Sequence, residues 1–196
     1  MQHIFNTLID SYIENKVGIV ENFLSNALSL KLRENLFTLY NEKLLLAAGT
    51  GNDLVVHDKQ VRSDVIYWLD RDHNNQGEMQ FFKLMDDFVS YLNSTCYTGI
   101  TGYEFHYTLY EKGSFYKKHV DQFRTNQSRQ FSMIIYLNTD WKMADGGELC
   151  IHHDNEMQVI APENGKSVFF KSSDLEHEVL PTNSNRLSIT GWLKVN

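Results

Sequence analysis

Cysteine is scarce here: the 196 residues hold only Cys96 and Cys150. Two thiols give no disulfide framework, so a reducing compartment, the cytoplasm, is the expected setting. Basic runs are missing too. No stretch of Lys or Arg exceeds two residues and the formal net charge is −7. A nucleic-acid surface usually shows a basic patch, so no nucleic-acid partner is expected. No apolar run approaches the ~20 residues of a membrane span, and no membrane partner is expected. The opening MQHIFNTLIDSYIENK is interrupted by Asp10 and Glu14 and lacks a basic start, so it does not read as a signal peptide.

What is present is the composition of a globular chain, 42% hydrophobic and 22% charged. Aromatics reach 13%, with 12 Phe and 10 Tyr, which suits strands and a walled pocket. Ile4, Phe5, Leu8, Ile9, Tyr12 and Ile13 recur at helical spacing. GIVENF is strand-like, and Ser25 is a candidate N-cap for a Leu-rich helix expected to stop near Gly49. VRSDVIYWL reads as a strand and DRDHNNQGE as an exposed loop, followed by a helix from about Met79 to Leu92. The segment from Val55 to Gln80 is thereby a candidate lid over a substrate. From Gly102 onward strands dominate: YEFHYTLY, RQFSMIIYLN, GELCIHH, EMQVIAP, KSVFF, HEVLP and RLSITGWLKV, separated by turns at Gly113, Gly146-Gly147 and Gly165. This pattern predicts a sandwich or a jelly roll.

His119-Val120-Asp121 is a candidate ligand pair, because residues two apart on an extended backbone face the same side. An H-x-D tripeptide is weak evidence by itself. His177, on HEVLP, offers a third ligand, and two His with one carboxylate form the facial triad of non-haem iron(II) oxygenases. Zinc with a bound water fits the same set, and a strand histidine bonded to backbone is the plainer reading of His177. Arg186 follows on the next strand. Its guanidinium fork can hold a carboxylate in two parallel bonds, such as the far end of 2-oxoglutarate, unless it is a surface residue in a turn. His152 and His153 are adjacent on a strand and face opposite ways, which argues against a second metal site. His106 reads as packed or pocket-lining.

Taken together, HVDQF, YLN, GGEL, the stretch from Pro162 to Phe170, HEVLP and RLSITGW resemble the prolyl-4-hydroxylase-type iron/2-oxoglutarate oxygenases. Within them the chain looks most like the hypoxia-inducible-factor prolyl hydroxylases and their bacterial relatives. VRSDVIYW is similar to the family element that closes over substrate, so the resemblance covers roughly residues 55–196. It implies a mainly β fold with flanking helices, a double-stranded β-helix (jelly-roll, cupin-like) core, in a single domain 1–196. Residues 1–95 would be mostly helices plus substrate-loop strands, and 96–196 the core. It implies Fe(II), 2-oxoglutarate and O2, with ascorbate as a candidate stimulant, and a protein or peptide substrate carrying a target proline.

Residue by residue, the resemblance implies that Tyr136 joins Arg186 on the co-substrate carboxylate. Tyr110 would contact the other end near iron, and Thr190 would line the same pocket. Arg62, Asp64, Arg129 and Trp192 would serve the substrate side, the first two on a mobile loop. Gln122-Phe123 after the metal Asp departs from the animal hypoxia enzymes and points to the bacterial branch. Lys112, Ser114 and Phe115 replace family glycines, which bears on substrate preference. A small-molecule hydroxylase with the same site is the alternative. A non-catalytic metal-binding cupin is disfavoured by the joint presence of Arg186 and Tyr136, and a nucleic-acid demethylase by the charge.

Overall fold

The computed structural model describes residues 1–49, 58–122, 125–153 and 156–195. Its elements run α1 (Gln2–Asn15), β1 (Val17–Val20), α2 (Asn26–Asn41), β2 (Leu46–Ala47), β3 (Val65–Trp68) and α3 (Gln76–Cys96). The β-rich half follows with β4 (Gly102–Tyr110), β5 (Tyr116–His119), β6 (Arg129–Tyr136), β7 (Leu149–His153), β8 (Glu156–Ile160), β9 (Ser167–Lys171), β10 (Glu176–Val179) and β11 (Arg186–Lys194). The strands form a seven-stranded sheet, β1-β9-β6-β11-β4-β3-β2, and a four-stranded sheet, β5-β10-β7-β8. Both are antiparallel. This is the jelly-roll class that the strand pattern predicts. Among the described residues no helix is long and apolar enough to cross a membrane.

The two-residue period of a strand divides the large sheet into two faces. Phe105, Tyr107 and Leu109 of β4, Met133 and Ile135 of β6, and Leu187, Ile189 and Leu193 of β11 pack with Phe5, Leu8, Leu32, Leu36, Phe81 and Phe88 of the helices. The intervening Ile134, Tyr136, Val168 and Phe170 pack with Leu149, Ile151, Ile160 and Val179 in a second cluster between the sheets. Helices therefore cover one face, and the space between the sheets is left for a site.

Helix boundaries differ from expectation, and α3 also runs past Leu92 to Cys96. Helix α2 ends at Asn41, well before Gly49, because Lys43 adopts a left-handed conformation (φ 59°). The Lys43 N–H bonds to the Tyr40 carbonyl and the Leu44 N–H to the Leu39 carbonyl, both at 3.0 Å. That is the Schellman pattern, ordinarily announced by glycine. Helix α3 begins earlier than Met79, since the Asn75 side chain accepts from the Gly77 and Glu78 N–H groups at 2.9 and 3.1 Å. The expected exposed loop is thus largely structured: residues Arg71–His73 form one 3-10 turn, and Gly77 and Glu78 are buried. Asn35 Nδ2 donates to Glu78 Oε1 at 2.9 Å, and His73 Nδ1 lies 2.9 Å from Oε2. Of the candidate lid, residues 55–57 lie outside the described residues. The part between His73 and Gln80 belongs to this capping network.

Gly191 shows how tightly β11 meets its neighbour β4. A Cβ there would stand 2.2 Å from the Glu104 carbonyl oxygen and 2.3 Å from a Phe105 ring carbon. Gly191→Ala is therefore expected to destabilise the fold by about 1–3 kcal/mol through overpacking. Urea unfolding measures this, and an unshifted midpoint would contradict the close approach.

Candidate active site

A cavity of about 750 Å3 opens between the sheets and carries His119, Asp121, His177, Arg186, Thr190 and Trp192 on its wall. His177 of β10 sits directly opposite His119 of β5 in the strand register, with ring centroids 4.2 Å apart. Strand β5 ends at His119, so Asp121 reaches the pair from a bend and not from a continuing strand. Its Oδ1 lies 3.4 Å from His119 Nε2 and 3.6 Å from His177 Nε2. One ligand atom from each of the three falls within 4.8 Å of the others.

The protonation pattern suits a cation. His119 Nδ1 lies 2.8 Å from the Lys117 carbonyl and His177 Nδ1 3.2 Å from the Leu175 carbonyl. A carbonyl only accepts, so each Nδ1 carries the hydrogen and each Nε2 presents a lone pair inward. Burial pushes the His177 imidazole down to about 4, against the pull of Asp121. Burial alone would raise the Asp121 carboxyl, but His177, His119 and the Ser132 hydroxyl hold it well below the usual carboxylate range. Two imidazoles and one carboxylate, open on the cavity side, form the donor set of a non-haem iron(II) site.

Arg186 lies deeper, 2% exposed. Its Nε donates to the Gly147 carbonyl at 2.7 Å, and its guanidinium carbon stands 4.9 Å from the Tyr110 ring centre and 5.0 Å from that of Tyr136. Gly147 takes φ 76°, and a Cβ there would come within 3.0 Å of Arg186 Cδ, which explains the second glycine of GGEL. Two polar atoms at this end have no protein partner: Arg186 Nη2 and the Tyr136 hydroxyl, both buried. A buried, unpaired guanidinium N–H beside an unpaired phenol is the counterpart of an incoming carboxylate. Burial raises the Tyr136 and Tyr110 phenols, so both stay protonated donors. Tyr110 and Thr190 stand on the wall of the same cavity.

The residues expected on the substrate side divide. Trp192 and Arg129 line the cavity together, the guanidinium carbon 3.4 Å from the indole centre and its nitrogens on Glu104 at 2.9 and 3.1 Å. Arg62 also lines it, its guanidinium carbon 4.2 Å from the Tyr116 ring centre. Asp64 does not line the cavity. It is buried and grips Arg62 with both oxygens, at 2.8 and 2.5 Å, so it acts by holding that arginine in place. His152 pairs with Glu178 at 2.9 Å and belongs to no metal cluster among the described residues.

Other residues of the site escaped the sequence reading. Tyr116 stacks on His119 with centroids 3.6 Å apart. Trp68 packs edge-on to His106 at 5.0 Å and lines the mouth, as does His73. Ser132 donates to Asp121 Oδ2 at 2.6 Å, and the alternation of β6 carried its signal, since Ser132, Ile134 and Tyr136 share one face.

Comparisons with known proteins agree with this geometry. A Pseudomonas putida prolyl-4-hydroxylase structure is 29% identical, covers 98% of this chain and 99% of its own, and superposes with a TM-score of 0.88. A prolyl hydroxylase from Trichoplax adhaerens, solved with a hypoxia-inducible factor peptide fragment, shares the fold at a TM-score of 0.87 and 24% identity, covering 98% of this chain and 90% of that one. A Caenorhabditis elegans hypoxia-inducible factor prolyl hydroxylase is 29% identical over 98% of this chain, which spans only 28% of that relative's length. Residues 105–194, from β4 through the triad to β11, match the 2OG-Fe(II) oxygenase superfamily.

Proposed function

We propose that this chain is an iron(II)- and 2-oxoglutarate-dependent dioxygenase that hydroxylates a prolyl residue in a protein or peptide and releases succinate and CO2. The observation that carries the reading is an open-faced His-Asp-His set sharing one cavity with Arg186, whose buried Nη2 has no protein partner and whose guanidinium stands beside Tyr136 and its equally unpartnered hydroxyl. When bound, iron(II) supplies the activation of O2 that couples decarboxylation of the co-substrate to hydroxylation of a C–H bond. His119, Asp121 and His177 would hold the ion. Arg186 and Tyr136 take the distal carboxylate, while Tyr110 and Thr190 orient the co-substrate along the wall. Trp192 and Arg129 face the substrate, and Arg62, fixed by Asp64, guards the same side. The aromatic wall formed by Trp68, Trp192 and His106 suits a pyrrolidine ring. The similarity to prolyl hydroxylases along nearly the whole chain supports a prolyl substrate, and two unpaired thiols favour a cytoplasmic setting.

His119→Ala and His177→Ala each remove one of three ligands and are expected to abolish or steeply reduce iron(II) binding. Metal titration tests this, and undiminished affinity in both variants would remove the triad from consideration. Arg186→Ala leaves the co-substrate carboxylate without its partner and should cost about 2–5 kcal/mol of 2-oxoglutarate affinity. Arg186→Lys should recover part, since a point charge does not reproduce two parallel bonds. Calorimetry of 2-oxoglutarate binding decides the matter, with an unchanged affinity in Arg186→Ala placing the anchor elsewhere. For the substrate, peptides with a central proline are expected to gain the mass of one oxygen atom when incubated with enzyme, iron, ascorbate and 2-oxoglutarate. Turnover of free L-proline with every peptide refused would assign the site to a small molecule.

A further inference from the structure

Asp121 is the one carboxylate of the triad, and its two oxygens have different surroundings. Oδ1 faces both histidine Nε2 atoms. Oδ2 accepts from the Ser132 hydroxyl at 2.6 Å, and the Ser132 oxygen lies 2.9 Å from that of Ser172. Both serines are buried, at 1% and 0% exposure. The direction of the chain follows from valence. An ionised carboxylate only accepts, so the single Ser132 hydrogen points to Asp121, and Ser172 must spend its own hydrogen on Ser132. Such serial bonds polarise one another and strengthen the last, charge-assisted member.

The backbone fixes this relay in place. Ser132 is on β6 and Ser172 immediately follows β9, its neighbour in the sheet, with the Ser172 N–H bonded to the Gln130 carbonyl at 3.0 Å. The Gln122 N–H, next to Asp121, donates to the Ser172 carbonyl at 3.1 Å. Ligand and relay therefore move as one unit.

We propose that Ser132 and Ser172 are positioning residues that reserve the outer oxygen of Asp121, so that it binds metal through one oxygen and leaves the remaining coordination positions to co-substrate and O2. The inference rests on the functional reading above. A carboxylate released from Ser132 can swing both oxygens toward the ion, occupying a position the chemistry needs open. Losing a hydrogen bond to a ligand carboxylate also loosens the site, by about 10–100-fold in metal affinity in comparable cases.

The test is titration of the full chain with cobalt(II) alone, followed by its visible d–d absorption, which reports coordination geometry. Ser132→Ala should weaken cobalt(II) binding about 10–100-fold and alter the absorption band. Ser132→Thr, which keeps the hydroxyl, should restore both. Ser172→Ala, one bond further out, should weaken binding less, and it serves in place of Ser132→Ala if that variant does not fold. Wild-type affinity and spectrum in folded Ser132→Ala, or unaltered affinity in folded Ser172→Ala, would overturn the proposal even if stability fell. Failure of the unmodified chain to bind cobalt(II) would instead overturn the functional reading and take this inference with it.

Discussion

Strand β11 runs between β6 and β4 in the large sheet, and its two faces cannot be exchanged. Leu187, Ile189 and Leu193 belong to the helix-side core, while Arg186, Thr190 and Trp192 line the cavity. A slip of one residue would drive a guanidinium into the helix layer and three aliphatic side chains into the site. The register is held from both sides, with Gly191 opposite Phe105 on one neighbour and Met133 on the other. The site inherits its dimensions from this strand, since the helices pack against one face and the smaller sheet closes over the other.

Charge is brought into the cavity wall mostly in matched pairs. Asp64 meets Arg62, and Glu104 meets Arg129 and Lys194, which pull its carboxyl down against the opposing effect of burial. These pairs keep arginines fixed over aromatic rings, Arg62 on Tyr116 and Arg129 on Trp192, so the walls are rigid as well as charged. The candidate ligands follow the same rule: His119, His177 and Asp121 are each held by a hydrogen bond at the atom that does not face the other two.

Much of this was legible in the sequence because strands repeat every second residue and ligand types are few. The alternating runs after Gly102 marked the jelly roll, and His119, Asp121, His177 and Arg186 stood out by chemical type. Tyr136 and Arg186 were paired through the family resemblance, and the structure brings them together at the closed end. The early stop of α2 was illegible because Lys43, not glycine, takes the left-handed position. Asp64 was assigned to the substrate side because a sequence does not show which carboxylate is already claimed by its neighbour two residues away. The alternation of β6 places Ser132 on the face of Tyr136, but only the fold brings Ser132 against Asp121 and Tyr116 against His119.

The unmatched end of Arg186 ties the fold to its chemical surroundings. A buried guanidinium nitrogen without a protein partner carries an uncompensated desolvation cost, and a carboxylate that meets it would lower the free energy of the folded state alone. By mass action, a ligand present at a hundredfold its dissociation constant adds about 2.7 kcal/mol to folding stability. For a domain held together by a modest net free energy, that is a sizeable fraction. The lifetime of this protein against unfolding and proteolysis would then rise and fall with the supply of any small carboxylate that meets Arg186.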